Sequence, residues 1–120
     1  MSEIKSYRDL VVWQKGIELV KQAYQVTAQF PESKKYGLVS QMRRAAVSIP
    51  SNIAEGQARQ HPGEFRHFLF ITLGSIAELE TQIIVSRDLN FLSGELAQKL
   101  LDNLFELQKM TRVLASRLPK

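Results

Sequence analysis

Apolar residues recur at helical spacing in four blocks along the chain, and short breaks separate the blocks. In the first, from about Arg8 to Gln29, Leu10, Trp13, Ile17, Val20 and Tyr24 follow steps of 3, 4, 3 and 4. That spacing puts them on one face of a helix. Ser6-Tyr7-Arg8-Asp9 upstream is a loose capping signal, and the Phe30-Pro31 step ends the block, because the residue before a proline is pushed out of helical geometry. The second block runs from about Ser33 to Arg59, with Leu38, Met42, Ala45, Ile49, Ile53 and Gly56 in line. The third, from about Pro62 to Leu89, aligns Phe65, Leu69, Thr72, Ile76, Leu79 and Ile83, with Asn90 as its C-terminal cap. The fourth starts from an N-cap at Ser93, runs to about Arg117, and aligns Leu100, Leu104, Leu107, Thr111, Leu114 and Leu118.

Pro50 falls inside the second block. A proline there removes one backbone hydrogen bond and crowds the carbonyl four residues back, at about 3 kcal/mol in a regular helix. The apolar spacing continues past it, so a kink is expected rather than a break, with Ser48, Ser51 and Asn52 at hand for local hydrogen bonds. Short breaks make successive helices antiparallel neighbours. The expected fold is therefore all-α: an antiparallel up-and-down four-helix bundle with a proline-kinked second helix, forming a single domain over residues 1–120.

Polar residues form lines of their own. Gln41, Arg44, Ser48, Ser51 and Glu55 follow steps of 3, 4, 3 and 4 on the second helix, bordered by Asn52. Phe68, Ile71, Ser75, Glu78 and Gln82 repeat the rhythm on the third. If the two lines face each other, Arg44 meets Glu78, and Glu55 finds a partner on another helix. A half-buried network of this kind serves helix register or a subunit contact more often than chemistry.

Composition narrows the function. The chain has 120 residues, 44% apolar and 23% charged, with no cysteine, so disulfides and thiolate metal sites are impossible. No uninterrupted run of about 18 apolar residues occurs, and no membrane span is expected. The absence of an apolar core near the N-terminus and of cysteine leads to an expected cytoplasmic location. Glu64 and His67 supply one Glu-x-x-His motif, whereas a di-iron bundle needs two. No nucleophile and base are paired in the pattern, so no catalytic, cofactor or metal site is expected.

The net charge is +4, spread unevenly: +1 over residues 1–30, +3 over 31–67, −3 over 68–98 and +3 over 99–120. Alternating segment charges suit either internal helix pairing or a phosphate-binding face. The candidates for the latter are Lys34, Lys35, Arg43, Arg59, Arg66, Lys109, Arg112 and Arg117. The phenylalanines fall mostly in core stripes, so base stacking is not expected to accompany these cations.

The run from Tyr36-Gly37-Leu38-Val39-Ser40 through Gln41-Met42-Arg43-Arg44-Ala45-Ala46-Val47 to Ser48-Ile49-Pro50-Ser51-Asn52-Ile53-Ala54-Glu55-Gly56 resembles the signature of the bacterial four helix bundle protein family. Its members are encoded by intervening sequences of the large-subunit ribosomal RNA gene. Asp9-Leu10-Val11-Val12-Trp13-Gln14-Lys15, Phe30-Pro31, Glu64-Phe65, Phe68-Leu69, Gly74-Ser75 and Glu78-Leu79-Glu80 add further matches. The chain is also similar, more distantly, to the accessory variability proteins of diversity-generating retroelements. At His61 this sequence departs from the serine usual in the family, a change expected to weaken the cap of the third helix, with Pro62 compensating in part. The resemblance implies a ring-shaped homopentamer. It places Gln41, Arg44, Ser48, Asn52, Glu55, Ser75 and Glu78 on matching motif positions, as a polar network or a subunit interface. The first functional expectation is a non-enzymatic oligomer that binds RNA or DNA, as an accessory to a nucleic-acid enzyme partner. The alternative is a protein-interaction scaffold without nucleic-acid binding, whose sign would be apolar surface left over once the core is filled.

Overall fold

The computed structural model describes residues 4–120, apart from the side chains of Lys35 and Tyr36. Four helices make the bundle: α1 (Val11–Thr27), α2 (Ser40–Ala58), α3 (Pro62–Asp88) and α4 (Gly94–Ser116). No strand occurs among the described residues. Each helix packs on its neighbours in sequence, and α4 closes against α1. The antiparallel, all-α bundle follows the order expected from the spacing.

The caps explain where the helices begin and end. Ser6 and Asp9 form a reciprocal capping box, but it serves a short 3-10 turn over Tyr7–Asp9. Leu10 is then extended (φ −77°, ψ 129°), so α1 starts at Val11 and not at Arg8. Ser93 caps α4, its Oγ accepting the Leu96 N–H at 3.1 Å. His61 makes no side-chain cap for α3, and Pro62 opens that helix. Asn90 ends α3 in the left-handed region (φ 63°), as its type permits. The Asn90 N–H then reaches the Arg87 carbonyl at 3.0 Å and the Phe91 N–H the Ser86 carbonyl at 2.9 Å. Those two bonds satisfy carbonyls that the last turn would otherwise leave open.

The second block is not one α-helix from Ser33. A 3-10 turn (Glu32–Lys34) and a π-helical turn (Lys35–Val39) lead into α2, which then runs unbroken through the buried Pro50. Proline has no N–H to give the Ala46 carbonyl. Around it, the Ser48 hydroxyl donates to the Ala45 carbonyl at 2.6 Å and the Asn52 amide to the Ser48 carbonyl at 2.8 Å.

On α2, α3 and α4 the core is the expected one. Met42, Ile49 and Ile53 meet Leu69, Ile76, Leu79 and Ile83, with Leu100, Leu104 and Leu107 closing the centre. Three buried threonines, Thr27, Thr72 and Thr111, each donate to the carbonyl four residues back, at 2.7, 2.9 and 2.7 Å. They therefore sit in the core without an unsatisfied hydroxyl.

The first helix corrects its expectation. Its buried face is Val12, Gly16, Leu19, Ala23 and Val26, while Trp13, Ile17 and Val20 are half-buried and Tyr24 is exposed. The face is displaced by one residue, about 100° around a helix of 3.6 residues per turn. Small size decides the matter. Gly16 and Ala23 let α1 approach closely, and the larger side chains flank the contact.

Candidate functional site

Five of the seven polar candidates converge. Gln41, Arg44 and Ser48 of α2 and Ser75 and Glu78 of α3 line one cleft of about 380 Å³. The lines do face each other, yet no ion pair within 4 Å joins Arg44 to Glu78. The other two candidates turn away: Asn52 bonds its own helix, and Glu55 pairs with Arg59 at 2.8 Å one turn on. Through that arginine Glu55 does connect to another helix, because Arg59 also bridges to Glu64 of α3 at 3.2 Å.

Two of the eight basic candidates are occupied inside the molecule. Arg59 holds both carboxylates and lies over the Phe68 ring at 4.9 Å. Its hydrogen bond to Glu55, then that to Glu64, pushes its pKa above the ordinary arginine value. Arg43 clamps the end of α1. Its Nε donates to Thr27 Oγ1 at 2.9 Å, its Nη2 to the Tyr24 carbonyl at 3.3 Å, and its guanidinium stacks 4.4 Å from the Tyr24 ring centre. Both cations are thus engaged by groups of their own chain.

The others stand on the surface, several over aromatic rings. Lys34 lies over Phe91, Arg66 over Phe70 and Lys109 over Phe105, at 5.2, 4.8 and 4.9 Å. Arg112 and Arg117 are exposed on the last turns of α4, and the side chain of Lys35 lies outside the described residues. Phe70 and Phe105 are themselves exposed, so the expectation that phenylalanines belong mostly to core stripes fails for these two.

A larger feature escaped the sequence reading. α3 is apolar on nearly all sides, although the bundle covers only one. On the outward side Phe70 is 45% exposed, Ile71 38%, Ile84 39%, Val85 41% and Leu89 54%. Gly74, Ala77 and Thr81 lie between them, all exposed. The face recurs with the seven-residue step of a packing seam, Phe70 to Ala77 to Ile84. That repeat was the available signal, hidden behind the stronger inward stripe. By length and hydropathy alone α3 would pass for a membrane span, even though Leu69, Ile76, Leu79 and Ile83 are committed to the core.

A second apolar surface lies where the start of α1 meets the end of α4. Leu10, Val12, Met110 and Val113 line a groove of about 580 Å³ rimmed by Lys109 and Arg117. Among the described residues, no three His, Asp or Glu side chains are placed to hold a metal ion. The described residues offer an apolar ridge, a cationic apolar groove and a polar cleft.

The model of the 23S rRNA-intervening sequence protein family matches residues 8–113. Among solved structures, the chain is similar to a crystal structure of a protein with unknown function from the S23 ribosomal protein family of Bacteroides thetaiotaomicron. The identity is 22%, the TM-score 0.79, and the match covers 88% of this chain and 98% of that one. This likeness shows the shared fold. No curated protein matches.

Proposed function

The chain belongs to the 23S rRNA-intervening sequence protein family, and on that premise we propose that it is a non-enzymatic scaffold that works as a homo-oligomer, assembled through the outward face of α3. The single observation that carries this reading is that face. Phe70, Ile71, Ile84, Val85 and Leu89 leave apolar surface in contact with water along about 28 Å of helix. A contiguous exposed patch of this kind marks an interaction site. A helix apolar all round is normally a buried one. Five copies is the number the family resemblance implies, and the cytoplasm is the expected compartment.

Placing a charge on the face tests the reading. Ile84 is outside the bundle core, so Ile84→Glu leaves the fold of one chain within about 0.5 kcal/mol while burying a carboxylate in any subunit contact. The variant is expected to lose the wild-type mass in solution and keep its helicity. An Ile84→Glu chain that assembles like the wild type overturns the reading.

A second reading, an accessory that binds RNA or DNA, is favoured by the cations left exposed after Arg43 and Arg59 are set aside. Arg66 over Phe70 and Lys109 over Phe105 pair charge with an exposed ring, which suits phosphate and base together. Binding of this kind weakens steeply with salt, in proportion to the phosphates contacted. No shift of structured RNA or duplex DNA at low salt would exclude it.

A further inference from the structure

The geometry points to a binding site for an amphiphilic anion, an unbranched alkyl chain ending in a carboxylate, in the groove between the start of α1 and the end of α4. This site goes beyond the assembly proposed above and needs no second copy, because residues of one chain line it throughout.

The seam between α1 and α4 changes character along its length. Further along it is polar and tied shut, by Lys15 to Glu106 at 2.8 Å and Asn103 to Gln22 at 2.8 Å. Towards the start of α1 and the end of α4 such ties stop. The seam there opens onto Val11 and Val113, 53% and 50% exposed, beside Leu10, Val12 and Met110. The resulting hollow of about 580 Å³ has the size and the mostly apolar lining of a small-molecule site.

The apolar surface does not end there. A second cavity, of about 380 Å³, shares Leu10 and Leu114 with the first as walls and continues past Phe65 and Leu118. Its polar residues are Gln57, Gln60 and His61. Together the two cavities offer a longer apolar path than either does alone.

Charge sits at one end of this path. Lys109 and Arg117 line the first cavity, Arg112 stands one turn along from Lys109, and no acidic residue lines either cavity. Among the described residues neither Lys109 nor Arg117 makes an ion pair within 4 Å. Lys109 rests over the Phe105 ring instead, at 4.9 Å. A guanidinium and an ammonium without a carboxylate of their own suit one anionic head group, which the arginine fork can hold through two bonds. An apolar path with cations at one end only has the polarity of a single-chain amphiphile, head on the rim and tail along Leu10 and Leu114. A membrane surface is the competing source of the same chemistry. The hollow favours a free chain, since docking on a bilayer uses an apolar face that protrudes.

Titration with dodecanoate below its micelle-forming concentration, followed by the methyl resonances of Met110 and Val113, tests the site. The wild-type chain is expected to bind dodecanoate more tightly than octanoate, by up to about tenfold for each two methylenes buried. It is expected to bind dodecyltrimethylammonium at least about tenfold more weakly than dodecanoate. Lys109→Glu with Arg117→Glu is expected to reverse that preference between head groups, and Val113→Asp to weaken both ligands. All three positions are exposed, and circular dichroism checks that the variants stay helical. No movement of either resonance up to about 1 mM dodecanoate overturns the inference. Equal binding of dodecanoate by the wild-type and charge-reversed chains overturns it as well. Binding to phosphatidylglycerol vesicles with no response to dodecanoate overturns it in favour of a membrane surface. Mass in solution reads assembly separately, so a failed titration leaves the proposed contact through α3 standing.

Discussion

Gly16 of α1 faces the ring of Pro50 on α2 so closely that a methyl group at Gly16 would lie 3.3 Å from Pro50 Cβ and 3.5 Å from its Cα and Cδ. The proline that interrupts the backbone ladder of α2 is thus buried in a slot left by a missing side chain on another helix. Neither residue explains itself alone. In a helix a glycine costs about 1 kcal/mol and a proline about 3 kcal/mol relative to alanine, and each makes room for the other.

Pro50→Ala is expected to raise stability by about 1 kcal/mol: it removes a backbone cost of about 3 kcal/mol but gives up part of that in ring packing and a small void. Gly16→Val is expected to lose about 1–3 kcal/mol by overpacking. Urea unfolding at fixed protein concentration measures both, and a stabilised Gly16→Val chain would contradict the slot.

Gly56 presses on α3 still harder. A Cβ there would come within 2.6 Å of Phe68 Cβ, so Gly56→Ala requires α2 and α3 to move apart. The expected loss is about 1–3 kcal/mol, overriding the roughly 1 kcal/mol of helix propensity that alanine brings. Equal or greater stability by the same unfolding measurement would contradict the close approach.

Arg43 is expected to act on folding and not on ligand. Arg43→Ala removes the bonds to Thr27 and the Tyr24 carbonyl and the stacking on Tyr24, at about 1–2 kcal/mol. Lysine is not expected to restore it, since a single ammonium does not reproduce the planar fork. Recovery of full stability in Arg43→Lys would contradict the clamp.

The pH dependence of the α1–α4 tie follows from Glu106. The hydrogen bond from Lys15 holds its carboxyl below the ordinary value of 4.5. A depressed carboxylate contributes stability above its unfolded pKa and loses it as pH falls through the folded one. The contribution is therefore intact above about pH 4.5 and lost below it, and Glu106→Gln is expected to flatten that part of the acid limb. Both partners are exposed, so the change is small and fades with salt. Thermal unfolding scanned across the acid range, in wild type and variant, reads the difference.

Most of the bundle is legible in the spacing of large apolar residues, because on α2, α3 and α4 those residues are the core. It fails on α1, where Gly16 and Ala23 form the contact and carry almost no hydrophobic signal. The polar cleft was legible too, since two lines with the same rhythm on antiparallel helices must run alongside each other. The fates of Arg43 and Arg59 were not, as nothing local places Thr27 or Glu64 beside them. The α3 ridge was concealed differently. Its Phe70, Ala77 and Ile84 repeat lies in the sequence, but a single inward stripe already satisfies the pattern of a bundle helix.

Mass in solution decides most directly whether that ridge is a subunit contact. Light scattering coupled to size exclusion, over about 1–100 µM, is expected to give a whole multiple of the 13.7 kDa chain for the wild type and 13.7 kDa for Ile84→Glu. A wild-type chain that stays at 13.7 kDa across that range contradicts the assembly.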